Sequence, residues 1–293
     1  MAEMVTILLA VTVGFLSGVL VNAFADALPR FRQPRLPYYS DGSPRPIFEW
    51  SGIVAYFRGG RDKYDKTPLQ PQSLERPDGT VVMLEPIPHA RITIRHVIVE
   101  IFMALFFGFI VINWPNHDRT WIWFIYLTIL MLITVIDIEH YIILTPVIVY
   151  GCLFAIFVAI FFPEEGIRTT QDYFIGGALG FGVFLFMYWG GALFSGLVGA
   201  ARGEALDEVA FGFGDVMLAT LCGLMIGWQS LIFALLITVF IGALGAVLFV
   251  IGRMFTSDKY ALFTPLPYGP YIVIGTVIMM LWREDVRRIL GGD

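Results

Sequence analysis

Long apolar runs alternate with short polar connections along most of the chain. Each run approaches the roughly 20 residues that a helix needs to cross a hydrocarbon core of about 30 Å. The runs predict eight transmembrane helices, near residues 4–28, 96–114, 120–137, 142–162, 173–199, 213–227, 229–251 and 268–282. Backbone groups in lipid must be satisfied within the segment, so the expected fold class is an all-α polytopic membrane protein, a bundle of about eight transmembrane helices.

One long polar stretch, residues 29–95, separates the first two runs. Proline and glycine recur throughout it, and it shows no sustained helical or strand periodicity. We expect a small irregular domain there. The predicted organisation is therefore a first span at 1–28, a cytosolic domain at 29–95 and a transmembrane bundle at 96–293.

Composition supports the membrane assignment. The chain is 57% hydrophobic and 15% charged, whereas an average soluble domain has about 45–50% and about 25%. The N-terminus does not resemble a cleaved signal peptide, because Glu3 is its only early charge and the apolar run lasts to about Leu28. It is expected to be a retained span. The two cysteines, Cys152 and Cys222, lie in apolar runs and exclude a disulfide framework or a cysteine-based zinc site.

The distribution of basic residues predicts the topology. Eleven of the 19 lysines and arginines fall in segment 29–95; they are Arg30, Arg32, Arg35, Arg45, Arg58, Arg61, Lys63, Lys66, Arg76, Arg91 and Arg95. Excess positive charge marks the cytoplasmic side, so the N-terminus is expected outside. The acidic loop 163–172 then falls outside, and Arg202 and the Arg253/Lys259 loop fall inside. The tail from Arg283 is an exception, since it is basic yet falls outside if the count of eight is right.

Small residues recur at four-residue spacing within several spans. The pairs are Gly14/Gly18, Gly176/Gly180 and Gly242/Ala246. This spacing lets helix backbones approach closely in lipid, so it predicts tight helix packing and requires no ligand.

Five carboxylates lie in or at the ends of apolar runs: Asp26, Glu100, Asp137, Glu139 and Asp215. An ionised aspartate at the bilayer centre costs about 2.5–3.5 kcal/mol on insertion scales, so such residues are candidates for function. The predicted topology brings the end of the third span and the start of the sixth to the cytoplasmic face. Asp137 and Asp215 can therefore meet there.

Asp215 closes the sequence Gly212-Phe213-Gly214-Asp215. The two glycines leave room for an extended substrate backbone, and a helix beginning there would favour the ionised carboxylate. Two neighbouring aspartates that share one proton can activate water and protonate a carbonyl oxygen, which is the chemistry of an aspartic protease. His140, three residues after Asp137, could tune this pair but is more typical of a membrane interface.

Other chemistries find little support. The four histidines, His89, His96, His117 and His140, show no HExxH spacing, so no metal site is expected. No G-x-S-x-G is present. The basic segment lacks an aromatic pattern for stacking bases, so we expect a lipid bilayer as partner and no nucleic acid.

In the order in which they occur, several motifs resemble those of the prepilin peptidases, a family of intramembrane aspartyl proteases. Ile136-Asp137-Ile-Glu139-His140 is similar to the stretch that carries the family's first catalytic aspartate, and Gly212-Phe-Gly-Asp215 matches the second. Further similarities are Gly14-Phe-Leu-Ser-Gly-Val-Leu-Val-Asn22 with Ala27-Leu-Pro-Arg30, Phe48-Glu-Trp-Ser-Gly with Arg58-Gly59, Arg95-His-Val-Ile-Val-Glu100 and Pro267-Tyr-Gly-Pro270.

This resemblance implies that Asp137 and Asp215 are catalytic, with Gly212, Gly214, Glu139 and His140 at the substrate approach and Glu100 in a supporting layer. It implies cleavage of prepilin-like precursors after a glycine, at the cytoplasmic face of the inner membrane. Proteolysis would need no cofactor. S-adenosylmethionine would be needed only if the chain also methylates the new N-terminus, as many members do.

The chain departs from the family pattern at several places. The usual cytosolic cysteine pairs are absent, a Leu144-Thr-Pro146 replaces the usual Ile-Pro-Asp/Asn, and Met217 stands where a lysine is common. Three alternatives stay open. One is a presenilin-like or signal-peptide-peptidase-like protease, another is an ion-coupled transporter that uses the same acids, and the third is an assembly protein without catalysis. The sequence does not indicate an oligomeric state.

Overall fold

The computed structural model describes residues 2–30, 45–58, 72–75, 81–84, 92–115, 117–164, 166–202, 212–254 and 267–289. Within them the helices are α1 (Ala2–Ala27), α2 (Gly52–Phe57), α3 (Ile94–Asn113), α4 (Thr120–His140), α5 (Thr145–Phe161), α6 (Thr170–Arg202), α7 (Phe213–Met254), α8 (Gly269–Leu281) and α9 (Arg283–Ile289). Single 3-10 turns occupy Leu28–Arg30 and Ile47–Glu49. Strands β1 (Gln72–Glu75) and β2 (Val81–Leu84) form an antiparallel hairpin that pairs Gln72 with Leu84.

The expected helical membrane architecture is confirmed. Five helices are long and apolar enough to cross a bilayer, and α5 and α8 are shorter apolar helices. One of the five, α7, covers two predicted spans, so the described residues contain the eight apolar segments expected. The hairpin and the short helix α2 add regular structure to segment 29–95, where the sequence predicted none. Most of that segment's basic residues and the loop at Lys259 lie outside the described residues.

Helix α7 is interrupted at Gly227, where φ is 72° and ψ is 163°. A straight helix of its 42 residues would be about 63 Å long, roughly twice the thickness of a hydrocarbon core. The backbone angles at Gly227 are accessible almost only to glycine. The break therefore turns one apolar stretch into two spans, at the position where the sequence divides 213–227 from 229–251.

The chain forms two compact units, residues 1–124 and 125–293, with the boundary inside α4. In the first unit α1 lies directly on α3, because a Cβ at Gly14 would overlap the carbonyl group of Met103 and one at Gly18 would lie 2.7 Å from Cα of Glu100. This confirms the predicted backbone contact at the first small-residue pair. It also joins α1 to a helix that the sequence-based division assigned to a different domain.

In the second unit, α6 and α7 make the same kind of close backbone contact, which we call a seam. A Cβ at Gly176 would overlap the carbonyl oxygen of Gly223, and one at Gly180 would overlap that of Ala219. The predicted close packing is confirmed here too. Gly242 differs, since its nearest neighbour is the ring of Tyr268, 3.2 Å from where a Cβ would be.

Buried polar residues tie helix α2, in the polar segment, to α1 and α3 within the first unit. The carboxylate of Glu100 is fully buried. It accepts hydrogen bonds from Gly52 N–H at 2.6 Å, Ser51 Oγ–H at 2.8 Å, Ile53 N–H at 3.2 Å and Asn22 Nδ2 at 3.2 Å. Since the first amides of a helix lack internal partners, Glu100 supplies the acceptor that α2 needs at its N-terminus.

A second cluster lies one helical turn away on α3. Asp26 at the end of α1 pairs with Arg95, and its other oxygen lies 3.0 Å from Nε2 of His96. His96 is almost fully buried, and its Nδ1 accepts the N–H of Thr93 at 3.2 Å. The intramembrane acids Asp26 and Glu100 are therefore satisfied within the first unit by named partners.

An ion-pair network connects the loop after α5 with the chain after α8. Oε2 of Glu164 lies 3.3 Å from Nη1 of Arg168 and 3.7 Å from Nη1 of Arg283. Burial, reinforced by the charges of Arg168 and Arg287, lowers the pKa of Arg283. The basic tail therefore lies at the same end of the second unit as the acidic loop 163–172, as the count of eight spans requires.

Candidate active site

Asp137 lies in the last turn of α4 and is 5% exposed. Ile133, four residues earlier and on the same side of the helix, is also buried, so this face of the helix points into the protein. The helix ends one turn later because Tyr141 adopts a positive φ of 56° and donates its N–H to the carbonyl of Asp137 at 2.9 Å. A carboxylate is thus held in a protected position close to the end of a transmembrane helix.

Asp215 occupies the third position of α7, which begins at Phe213. Its Oδ2 accepts the N–H of Gly212 at 3.3 Å, and its own N–H donates to the carbonyl of Gly212 at 3.1 Å. The bond to Oδ2 is the acidic half of a capping box, in which the side chain at the third position satisfies the N–H of the residue before the helix. The expectation that Asp215 lies at a helix N-terminus is confirmed, and the helix dipole there favours its negative charge.

The two aspartates lie on neighbouring elements of the second unit. Gly214, beside Asp215, is so close to Ile143 that a Cβ there would lie 2.8 Å from the Cβ of Ile143. Gly269, whose N–H binds Asp137, also faces α7, because a Cβ there would lie 3.5 Å from Cδ2 of Leu218, one turn beyond Asp215. The end of α4 and the start of α7 therefore bring the two carboxylates into electrostatic reach of each other. Two acids in this relationship favour a state in which they share one proton.

A third element reaches the site from the start of α8. Gly269 donates its N–H to Oδ2 of Asp137 at 3.1 Å. The adjacent Tyr268 responds to the other aspartate, since burial and then the negative charge of Asp215 raise the pKa of its phenol. Sequence reasoning singled out Pro267-Tyr-Gly-Pro270 only as a family motif and gave it no role. The proline-glycine pattern was the available signal, but it did not say which side chain it would contact.

The remaining predicted site residues occupy different surroundings. Glu139 is exposed and His140 half-buried, and their nearest charged atoms are 4.0 Å apart. Gly212 is exposed and directly precedes the first residue of α7. Glu100 belongs to the first unit, where its recorded hydrogen bonds go to Asn22 and to the start of α2. Its supporting role in the chemistry stays a prediction.

Metal ions in proteins are held by clusters of histidine, cysteine, aspartate or glutamate side chains. In the described part of the chain, no three such side chains gather in a way that could hold a metal ion. The polar groups described at the site are the carboxylates of Asp137 and Asp215 and the amides of Gly212 and Gly269 that donate to them.

Known proteins place these residues in context. Residues 124–247 match the family model described as the type IV leader peptidase family. A prepilin leader peptidase/N-methyltransferase of Aeromonas salmonicida is 26% identical over 202 residues, covering 68% of this chain and 62% of the relative. One of Pseudomonas aeruginosa is 26% identical over 194 residues, covering 66% and 60%. One of Pseudomonas putida is 36% identical over 75 residues, covering 26% and 24%.

The chain spans about 62% of the length of the first of these relatives. No solved structure is significantly similar to it. The matched segment begins within α4, ends within α7 and contains both Asp137 and Asp215. The part of the chain that carries both aspartates, residues 124–247, is thus similar to the type IV leader peptidase family.

Proposed function

We propose that this protein is an intramembrane aspartic endopeptidase that removes the leader of prepilin-like precursors. The observation that carries the proposal is the close contact between the end of α4, which carries Asp137, and the start of α7, which carries Asp215. Both lie within the segment that matches the type IV leader peptidase family. The names of the relatives, prepilin leader peptidase/N-methyltransferase, support the substrate class.

The chemistry needs only the two carboxylates and a water molecule. The ionised aspartate takes a proton from water, whose oxygen attacks the scissile carbonyl carbon while the protonated aspartate gives its proton to the carbonyl oxygen. The resulting tetrahedral diol then collapses. Its C–N bond breaks, the leaving nitrogen takes the proton that the first aspartate received from water, and one hydroxyl proton of the diol passes to the second aspartate, which leaves a carboxylic acid and an amine as products. Each aspartate thereby returns to a state from which it can react again.

The direct test is cleavage of a prepilin-like precursor by the purified protein in detergent or liposomes. We expect Asp137→Asn and Asp215→Asn each to abolish cleavage while the protein stays folded and inserted. Asparagine keeps the side-chain size but cannot exchange a proton with water. Cleavage by either variant at the rate of the unchanged protein would refute the aspartic mechanism.

The same preparation distinguishes the alternative functions. A presenilin-like protease would cut transmembrane helices other than prepilin leaders, so a panel of unrelated single-span substrates should stay intact. An ion-coupled transporter would show proton or solute flux in liposomes that depends on Asp215. Flux without proteolysis would favour the transporter and overturn the proposal.

A second activity, N-methylation of the mature N-terminus, is favoured by the names of the relatives. Transfer of a labelled methyl group from S-adenosylmethionine to the cleaved product tests it. Label in the product establishes the second activity. Complete cleavage without label leaves a peptidase alone.

The proposed location is the inner membrane, with the N-terminus outside and the two aspartates at the cytoplasmic face. The basic residues of segment 29–95 support this orientation. Targeting signals begin with a positively charged region, which the positive-inside rule keeps on the cytoplasmic side, so a site on this face would meet such a leader directly.

A further inference from the structure

Asp137 is held by one of its two carboxylate oxygens. Oδ2 accepts the N–H of Gly269 at 3.1 Å, across 132 positions of sequence. Among the described residues no hydrogen bond to Oδ1 is recorded. The side chain is 5% exposed and therefore cannot rely on bulk water to orient it.

The donor is a backbone amide that has no hydrogen-bond partner inside its own helix. Gly269 is the first residue of the 13-residue helix α8, and the first amides of a helix have no partner within it. The positive end of the helix dipole also faces the carboxylate. Donor and dipole therefore act on the same oxygen of Asp137.

The absence of a side chain at Gly269 is equally specific. A Cβ added there would collide with Oδ2 of Asp137 and would lie 3.5 Å from Cδ2 of Leu218. Leu218 is fully buried on α7, one turn beyond Asp215. Any side chain at position 269 would therefore displace the carboxylate from its place beside α7.

We infer that Gly269 is a positioning residue for Asp137, acting through its backbone N–H and its missing Cβ. It fixes Oδ2 and leaves the other oxygen to take the proton of the attacking water. This inference rests on the proposed proteolytic function and adds the element that aligns one member of the pair.

The first variant is Gly269→Ala, with Gly182→Ala as its matched control. Gly182 lies inside α6, and a Cβ there would meet nothing within 4 Å. A displacement of about 1 Å at a reacting group costs roughly 100-fold in rate. We expect Gly269→Ala to lower kcat roughly 100-fold with little change in KM, and Gly182→Ala to behave like the unchanged protein.

The second variant removes the hydrogen bond without adding atoms. Translation with a tRNA that carries glycolic acid replaces the amide between residues 268 and 269 by an ester, so the N–H becomes an oxygen. Loss of a hydrogen bond to a charged group predicts a fall in kcat on the order of 10-fold. It also predicts a changed ¹³C chemical shift of the labelled Asp137 carboxyl group, a readout that a general loss of stability would not produce.

The outcomes separate the two proposals. Cleavage by the unchanged protein and not by Asp137→Asn, with full activity and an unchanged carboxyl shift in both Gly269 variants, would overturn the positioning role alone. A changed carboxyl shift in a protein that cleaves no prepilin would overturn the proposed function and leave the contact standing. Reduced kcat together with the changed shift supports both.

Discussion

The carboxylate of Glu100 accepts the backbone N–H of Gly52 at 2.6 Å, joining a fully buried acid on α3 to the first residue of α2. This bond is the shortest of four that converge on the same side chain. It explains why an acid persists within a membrane span. The acid completes the N-terminus of a helix that belongs to the polar segment.

Replacing Glu100 should therefore cost stability. Glu100→Ala leaves the amides of Gly52 and Ile53 without their acceptor, and we expect a loss of about 3 kcal/mol in the free energy of unfolding. Glu100→Gln keeps one acceptor oxygen and should lose less. Denaturation in detergent measures both, with Glu284→Gln, on a side chain that is 75% exposed, as the control. Equal stability of Glu100→Ala and the control would contradict the capping role.

The break in α7 should depend on glycine at position 227. Alanine there must adopt a φ near 72° and would place its Cβ 3.4 Å from Cδ of Arg168. We expect Gly227→Ala to destabilise the protein by about 1–3 kcal/mol. Gly182→Ala should be neutral or slightly stabilising, since helix interiors favour alanine over glycine. Thermal unfolding in detergent distinguishes them, and an equal effect of the two changes would argue against strain at Gly227.

The ion pairs of Glu164 should contribute more to stability than the exposed ion pair between Asp285 and Arg288. Glu164→Gln leaves Arg168 and Arg283 without their shared negative partner, and we expect a loss of about 1–3 kcal/mol because these side chains are mostly buried. Asp285→Asn removes an exposed partner 3.9 Å from Arg288 and should cost less than about 1 kcal/mol. Chemical unfolding of the two variants is the measurement. A larger loss for Asp285→Asn would contradict the role of the network.

The side of the membrane can be tested with single cysteines in a protein that carries Cys152→Ala and Cys222→Ala. Ile167→Cys and Ile289→Cys replace exposed residues near the Glu164–Arg283 pair. We expect a membrane-impermeant reagent added outside to label both, and not to label Lys63→Cys.

Two results would contradict different parts of this prediction. Labelling of Ile167→Cys and Ile289→Cys from opposite sides would refute the placement of the acidic loop and the basic tail at the same end of the second unit. Labelling of Lys63→Cys alone from outside would invert the proposed orientation and leave the fold unchanged.

The two glycines beside Asp215 should differ in their tolerance of alanine. A Cβ at Gly214 would lie 2.8 Å from Cβ of Ile143, whereas at Gly212 the nearest atom would be 3.6 Å away. We expect Gly214→Ala to reduce kcat roughly 10- to 100-fold by shifting α7 against α4, and Gly212→Ala to act mainly on KM. Steady-state cleavage kinetics separate these effects. A stronger loss of kcat in Gly212→Ala would reverse the assignment.

Local patterns in the sequence predicted much of the architecture. Apolar length located the spans, the glycine spacing predicted the seams at Gly14 and Gly176, and the Gly-Phe-Gly sequence predicted a helix start at Asp215. Each of these signals depends on neighbouring residues, whose spacing in a helix is fixed by its geometry. The division of α7 was predicted for the same reason, because its apolar run is too long for one span.

The contacts that complete the site could not be predicted in this way. Gly269 meets Asp137 across 132 positions, and Glu100 meets Gly52 across 48. Such pairings depend on how helices pack, which periodicity does not specify. The placement of Arg283 and Glu164 at the same end of the second unit was predicted only indirectly, from the count of eight spans. The positive charge of the tail by itself predicted the opposite side.

The glycines at the contact between α6 and α7 can be recognised in the sequences of related proteins. Gly176 and Gly223 leave room for two backbones to touch, and this contact holds the helix that carries Asp215. A relative with both aspartates but with leucine at these two positions could not bring the helices so close. Comparison of these glycines across sequences would therefore classify proteins by how they support the helix, independently of whether they keep the chemistry.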